Sequence, residues 1–305
     1  MYHALTDLAK TLLHLGLEDD GWQWDWTTIG SLGVTDQKRI IRADILAKDQ
    51  GIWAGGPLIG ACRGLSAELG GPIDIEAFFD DGAVVAPEQR VARWEGPART
   101  LLALERPFLN LASYVCGIAT RTRAMTEAIA QGTRDWKVPP PRLAATRKTL
   151  PGYRDFALHG VIAGGGFPHR VSLSGGVLIK ENHIAAAGGI VRAIEGSRAA
   201  APHGLKIEVE VTSLEELRLA LSAGADGVLL DNFTPEQVAA ALIEIERAAN
   251  KTFVEVSGGI SGENLARYLQ PGVHVLSSGG LTHSVRALDL SLLVEGWGST
   301  SAVKP

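Results

Sequence analysis

Seven charged or titratable residues between positions 147 and 231 have the types and spacing of a shared pocket. Arg147, Lys148, His169, Arg170 and Lys180 form a basic set, and Glu210 and Asp231 form an acidic one. Cations gathered away from solvent persist only with partners, so the basic set anticipates a polyanionic ligand. Arginine in particular suits bidentate recognition of carboxylate or phosphate. Arg106 could join from a long helix, although alone it reads as a surface ion-pair partner of Glu105. His169 alone reads as a structural hydrogen-bonder rather than a catalyst. Carboxylates beside a phosphate site commonly hold Mg²⁺, directly or through its waters, or offset positive charge developing on a sugar. The plainer alternative is that Glu210 and Asp231 only pair with the neighbouring cations. Ser257-Gly258-Gly259 and Ser278-Gly279-Gly280 each precede a helical segment. Free N–H groups and a helix dipole hold an anion at such places, though either pair alone could be a tight turn.

These residues fall at the ends of strand-like segments. Arg142–Thr146, Gly176–Ile179, Lys206–Val211, Gly227–Asp231, Phe253–Val256 and His274–Ser277 are apolar and of strand length. The later ones recur about every 20 to 26 residues with helical patterns between them, the rhythm of a parallel barrel or doubly wound sheet. Ser213-Leu-Glu-Glu216 and Thr234-Pro-Glu-Gln237 carry helix-capping signatures. In a parallel barrel the C-terminal strand ends share one mouth. Six polar endings on one rim are hard to explain by solvation. Glu208 shares a strand face with Glu210, one step deeper.

Residues 1–115 have a different texture and read as a separate α+β sandwich domain. The opening segment patterns as an amphipathic helix. Arg39–Ala47, Ile73–Phe79 and Gln89–Trp94 alternate like strands, and Trp22, Trp24 and Trp26 suggest one face of a strand. Asp20, Asp25, Asp80 and Asp81 read as solvated loop residues. A helix from Pro97 to about Ala130 is expected to break near Gly117. The barrel domain is expected over 116–284, with a last helix at about 285–305 that could pack back on either part.

Composition bounds the function. The chain has 305 residues, 46% hydrophobic and 21% charged, with a net charge of −5. That suits a folded protein and excludes a broadly basic nucleic-acid binder. Two cysteines, Cys62 and Cys116, are too few for a disulfide framework or a thiolate zinc site. No membrane span or secretory signal is evident. The expectation is a soluble cytoplasmic protein with no nucleic-acid or membrane partner.

Nine collinear segments resemble the quinolinate phosphoribosyltransferase family: Glu105-Arg106 with Leu109-Asn110, Gly117–Thr120, Thr146–Gly152, Gly164–Gly166 with His169-Arg170, Leu178–His183, Glu208–Val211, Leu229–Phe233, Val256–Ile260 and Leu281–Val285. Asp25–Thr28 and Trp94–Pro97 extend the likeness more loosely. The resemblance implies an α/β fold: an incomplete parallel α/β barrel, similar to a TIM barrel, behind an N-terminal α+β open sandwich. It implies a homodimer whose active site the adjacent subunit completes. Quinolinate would be held by Arg106 from the partner chain, Thr146, Arg147, His169, Arg170 and Lys180. Phosphoribosyl pyrophosphate would be held by Lys148, Glu210, Asp231, Ser257, Gly258, Gly259, Gly279 and Gly280. Mg²⁺ would sit near Glu210 and Asp231, and Lys148, Lys180, Glu210 and Asp231 would carry the chemistry. The implied reaction gives nicotinate mononucleotide, pyrophosphate and CO₂, a step of de novo NAD biosynthesis.

The chain departs from the family pattern at several places. Pro168 stands where asparagine is typical, Ala145 and Glu181 where aspartate is, and Pro107 where threonine is common; Gly132–Pro141 looks longer than usual. Three other readings stay open. Lys180 could form a Schiff base as in barrel aldolases. The chain could be a divergent paralogue that binds or ribosylates another pyridine or aromatic carboxylate. It could also be a non-catalytic binding protein, against which Glu210, Asp231 and both glycine turns argue.

Overall fold

Leu5, Ala9, Leu13 and Leu17 are all buried at four-residue spacing, one face of a helix. They belong to α1 (Tyr2–Asp20) of a computed structural model that describes residues 2–248 and 251–295. Among those residues the chain forms two compact units, one of 2–121, 152–165 and 285–295, the other of 122–151 and 166–284.

In the first unit α1 is followed by α2 (Trp26–Asp36), β1 (Ile40–Ala47), β2 (Gly51–Ile52), α3 (Gly56–Glu68), β3 (Asp74–Ala77), β4 (Val84–Val85) and β5 (Arg90–Pro97). An antiparallel sheet runs in the order β12-β1-β5-β3, where β12 is Leu290–Val294. β2 and β4 form a separate antiparallel pair. Trp53, Trp94, Ile45, Leu58, Leu101 and Phe108 are fully buried here, and the Trp94 and Phe108 rings meet edge to face at 4.9 Å. Aromatic pairs favour that geometry because the ring edge is positive and the face negative.

Four expectations are corrected in this unit. The tryptophans are not on a strand: Trp22–Trp24 is a 3₁₀ turn, and Trp26 opens α2. The cause is Asp25, whose carboxylate accepts from the Thr28 N–H at 3.0 Å and caps that helix. Trp24 and Trp26 are exposed and stack on each other at 5.9 Å. Asp81 is not a solvated loop residue either; it accepts from the Gly56 N–H at 2.9 Å and meets the His159 ring at 3.0 Å. The helix α4 (Ala98–Gly132) runs unbroken through Pro107 and Gly117. Gly117 is there for space, since a Cβ would collide with the Arg286 carbonyl. Lastly, the expected C-terminal helix at about 285–305 is the strand β12 over Leu290–Val294, paired with β1 from Ala43↔Val294 to Ala47↔Leu290. Alternation of Leu290 and Leu292 (buried) with Leu293 (exposed) is a two-residue period, which a strand satisfies and a helix does not. The rest of that expected helix, from 296, lies outside the described residues.

The second unit alternates strands and helices: β6 (Arg142–Ala144), β7 (Val177–Ile179), α6 (Glu181–Ala187), α7 (Ile190–Ala200), β8 (Ile207–Val211), α8 (Leu214–Ser222), β9 (Gly227–Asp231), α9 (Pro235–Arg247), β10 (Phe253–Ser257), β11 (Val275–Ser277) and α10 (Gly280–His283). The intervening α5 (Arg154–Ala163) belongs to the first unit. All six strands pair in parallel in the order β6-β11-β10-β9-β8-β7. Beyond β6 the chain at Phe167 adds a parallel bridge to Ala144. The sheet is an incomplete α/β barrel. The sequence caps α8 and α9 as expected: Ser213 accepts from the Glu216 N–H, and Thr234 and Gln237 form a reciprocal capping box. The helical segment expected after Ser257-Gly258-Gly259 is only a 3₁₀ turn at Leu265–Tyr268. Asn264 accounts for this, because it bonds both the Ser261 N–H and the Gly259 carbonyl and holds a turn instead.

Candidate active site

Strand period decides what faces the barrel interior. Val209 and Val211 of β8, Val228 and Leu230 of β9, and Val254 and Val256 of β10 are buried on one face. Their neighbours, on the opposite face, are Glu208 and Glu210, Leu229 and Asp231, and Glu255 and Ser257. That second set lines two cavities. Layers of branched apolar residues usually fill such a barrel. Here four of the six inward positions are carboxylates.

The cavity at the C-terminal strand ends has a volume of about 360 Å³. Thr146, Arg147, Lys148, His169, Arg170, Lys180, Glu210, Asp231 and Ser257 line it, together with Leu178, Leu229, Glu255 and Ser277. The cations and carboxylates singled out in the sequence therefore meet in one hollow. Arg106 is exposed on α4 in the other unit. Gly258 and Gly259 follow β10, and Gly279 and Gly280 follow β11; none of the four lines the cavity wall itself.

Local interactions hold the rim. Lys180 pairs with Glu210 between the adjacent strands β7 and β8, and its backbone N–H donates to His183 Nδ1 at 3.0 Å. The Thr282 hydroxyl donates to the Lys148 carbonyl at 2.7 Å, and the Lys148 N–H donates to Thr146 Oγ1 at 3.2 Å. Asn232 adopts a left-handed φ of 58°, donates from Nδ2 to Asp231 Oδ2 at 2.7 Å, and binds the Ser257 carbonyl through its N–H at 2.9 Å. Gly258 has φ of 91°, and a Cβ there would strike Asn232. Only glycine lets these two βα turns pack together.

The floor is a triad. His169 Nε2 lies 2.9 Å from Glu255 Oε2 and 3.6 Å from Glu208 Oε2, and both carboxylates are buried. The three donor atoms lie within 4.8 Å of one another. Hydrogen bonding to Glu208 and then Glu255 pushes the imidazole up to about 10. The Arg170 N–H donates to His169 Nδ1 at 2.7 Å, which favours a neutral ring. Two carboxylates in a buried site outweigh that one contact. In either charge state the proton on Nε2 faces Glu255. Burial pushes Glu208 up and, with the nearby Arg147, pulls Arg170 down. Arg147 Nε, Glu208 Oε1 and Ser277 Oγ are buried without a hydrogen-bond partner among the described residues. A guanidinium Nε placed so beside a cavity is a donor that an anion could use.

Glu255 and Ser277 were not legible as site residues from sequence. The available signal was the mid-strand glutamate in Phe253–Ser257, since a charge inside an apolar strand must have a partner.

The donor chemistry fits a divalent cation. Glu210 and Asp231 are hard oxygen donors on one wall, and Mg²⁺ is usually held by one or two carboxylates plus substrate phosphates.

Comparison with known proteins gives matches across the chain. The family models "Quinolinate phosphoribosyl transferase, N-terminal domain" and "C-terminal domain" match residues 25–116 and 118–293. A human protein named nicotinate-nucleotide pyrophosphorylase [carboxylating] is 40% identical over 251 residues, 82% of this chain and 81% of that one. A Bacillus subtilis protein named as a probable enzyme of the same kind is 38% identical over 93% of this chain and 92% of its own. The structure of the Francisella tularensis nicotinate-nucleotide pyrophosphorylase superposes with a TM-score of 0.79 at 31% identity, covering 95% of this chain and 97% of that one.

Proposed function

Because the chain belongs to the quinolinate phosphoribosyltransferase family, we propose that it transfers phosphoribosyl from phosphoribosyl pyrophosphate to quinolinate with decarboxylation. The products are nicotinate mononucleotide, pyrophosphate and CO₂. The observation that carries this reading is the cavity itself, where Arg147, Arg170, His169 and Lys180 share one hollow with Glu210 and Asp231.

A dianionic heteroaromatic is the ligand that such a basic wall would bind, and Arg147 Nε is a donor in wait for it. Thr146, Arg147, His169, Arg170 and Lys180 would take the two carboxylates, with Arg106 supplied by the partner subunit of a homodimer. Lys148, Glu210, Asp231 and Ser257 would take phosphoribosyl pyrophosphate, the Gly258-Gly259 and Gly279-Gly280 turns offering backbone N–H groups to its phosphates. Glu210 and Asp231 would hold Mg²⁺, directly or through water, and the ion when bound supplies positive charge to the leaving diphosphate.

The chemistry then follows from charge. The C1–O bond breaks, and its electron pair leaves with pyrophosphate. The ribose that remains is oxocarbenium-like, and Glu210 and Asp231 would offset its positive charge. The ring nitrogen's lone pair forms the new bond to C1, helped by a basic wall that fixes the ring's orientation and excludes water. The nitrogen is now cationic. When the 2-carboxylate departs as CO₂, the electrons of that bond are drawn towards the cationic ring, and a proton replaces the carboxyl at C2. No organic cofactor is needed for this balance.

The test is pyrophosphate release by purified protein with Mg²⁺ and phosphoribosyl pyrophosphate, with quinolinate or nicotinate as acceptor. Release with quinolinate supports the reading. Release with nicotinate alone refutes it.

A further inference from the structure

His169 is carried by a segment with no regular structure, between α5 and β7, so no helix or strand fixes its ring. The two groups that do fix it stand on strands. Glu255 is the middle residue of β10 and 2% exposed; Glu208 lies in β8 and is 5% exposed. His169 and Glu255 also line both cavities of the barrel, the upper one described above and a second of about 540 Å³ at the N-terminal strand ends. The triad is therefore the partition between the two mouths. We propose that Glu255, backed by Glu208, is a positioning residue for the acceptor substrate: its 2.9 Å bond to His169 Nε2 ties a loop-borne imidazole, and Arg170 after it, to the rigid sheet that floors the basic wall.

The lock extends beyond His169. The next residue's backbone N–H donates to Nδ1 at 2.7 Å, and the same residue, Arg170, donates from Nη1 to the Gly176 carbonyl at 3.1 Å. Freeing the imidazole thus frees a second cation of the basic wall. Among the described residues the Glu255 carboxylate makes no hydrogen bond to the phosphate side, where Lys148 is held by Thr282 and Asp231 by Asn232. The effect of losing Glu255 should fall on the acceptor and spare the donor. Recognition groups need this kind of support from neighbouring packed residues to keep their geometry.

The inference rests on the quinolinate reading for its substrate, and its test separates the two. Quinolinate and phosphoribosyl pyrophosphate binding are measured by calorimetry for wild type, Glu255→Ala and Glu255→Gln, each checked for an unchanged melting profile. Loss of a hydrogen bond to a charged group predicts at least about 10-fold weaker quinolinate binding in Glu255→Ala. Phosphoribosyl pyrophosphate binding should change by less than about 2-fold, since its holders lie elsewhere. Glu255→Gln, whose amide oxygen can still accept from Nε2–H, should recover most of the loss. Equal weakening of both ligands, or none, overturns the proposal. If Glu255→Ala does not fold, Glu255→Met, which fills the same space but cannot accept from Nε2–H, carries the same comparison against Glu255→Gln. A second readout needs no substrate: in ¹⁵N spectra of the free protein the His169 Nε2 proton should be fixed in wild type and exchange faster in Glu255→Ala. An unchanged signal overturns the proposal even if wild type binds no quinolinate, an outcome that would instead sink the functional reading.

Discussion

Lys180 and Glu210 form an ion pair across adjacent parallel strands, one at the end of β7 and the other inside β8. The pair joins the two halves of the pocket. On the proposed function Lys180 serves the acceptor, and Glu210 serves the sugar and metal. Glu210→Gln should therefore lower kcat by roughly 100-fold, the scale on which a preorganised charge acts in a transition state. Quinolinate affinity should move far less. A mutant with normal kcat and weakened substrate binding would show Glu210 to be a binding group only.

Arg147 carries a buried, unpartnered Nε at the cavity. Arg147→Ala should weaken quinolinate binding by at least about 10-fold, the value of a charge-assisted bond, and leave phosphoribosyl pyrophosphate binding nearly intact. Direct binding measurements decide it. Equal loss of both would show that Arg147 serves the phosphate side.

His169 links the site to stability. Its imidazole sits at about 10 in the folded chain against an ordinary 6.5, through Glu208 and then Glu255. A raised imidazole stabilises the folded state fully below its unfolded value, and that contribution is lost as pH climbs through the folded one. The stability gap between wild type and His169→Gln in urea should be full at about pH 6 and shrink steadily towards about pH 10. A gap that widens over that range would contradict the carboxylate pairing.

Gly117 tests the fold. Its Cα packs against the Arg286 carbonyl with no room for a Cβ. Gly117→Ala should destabilise by about 1–3 kcal/mol, the usual cost of overpacking, despite alanine's better helix propensity. An Ala variant at least as stable as wild type in denaturant would show that the contact is soft.

Subunit sharing makes a sharper forecast. If Arg106 acts in the neighbour's site, Arg106→Ala and Arg147→Ala are each inactive alone. Mixed and re-equilibrated, half the dimers would be hybrids with one intact site, restoring about a quarter of wild-type activity. No restoration would place both residues in the same subunit's site.

The sequence was informative where one physical rule acts alone. Charges at Arg147, Lys180, Glu210 and Asp231 are costly next to apolar strands, and the structure gathers them at one cavity. The capping residues Ser213 and Thr234 mark α8 and α9 because their side chains satisfy backbone donors locally. Reading failed where a distant partner decides. Gly117 signals a helix break by propensity, yet α4 runs through it because the 286 backbone needs that space. The C-terminal segment becomes β12 only because β1 offers an edge. Glu255 signals only that a charge inside an apolar strand needs a partner; which partner stays hidden because His169 lies 86 positions away in sequence.

The most direct test of the reaction follows the carboxylate. Quinolinate labelled with ¹³C at the 2-carboxylate should release one labelled CO₂ for every pyrophosphate formed. Pyrophosphate without labelled CO₂, or release of unlabelled CO₂ from the 3-position, would contradict the mechanism built on this pocket.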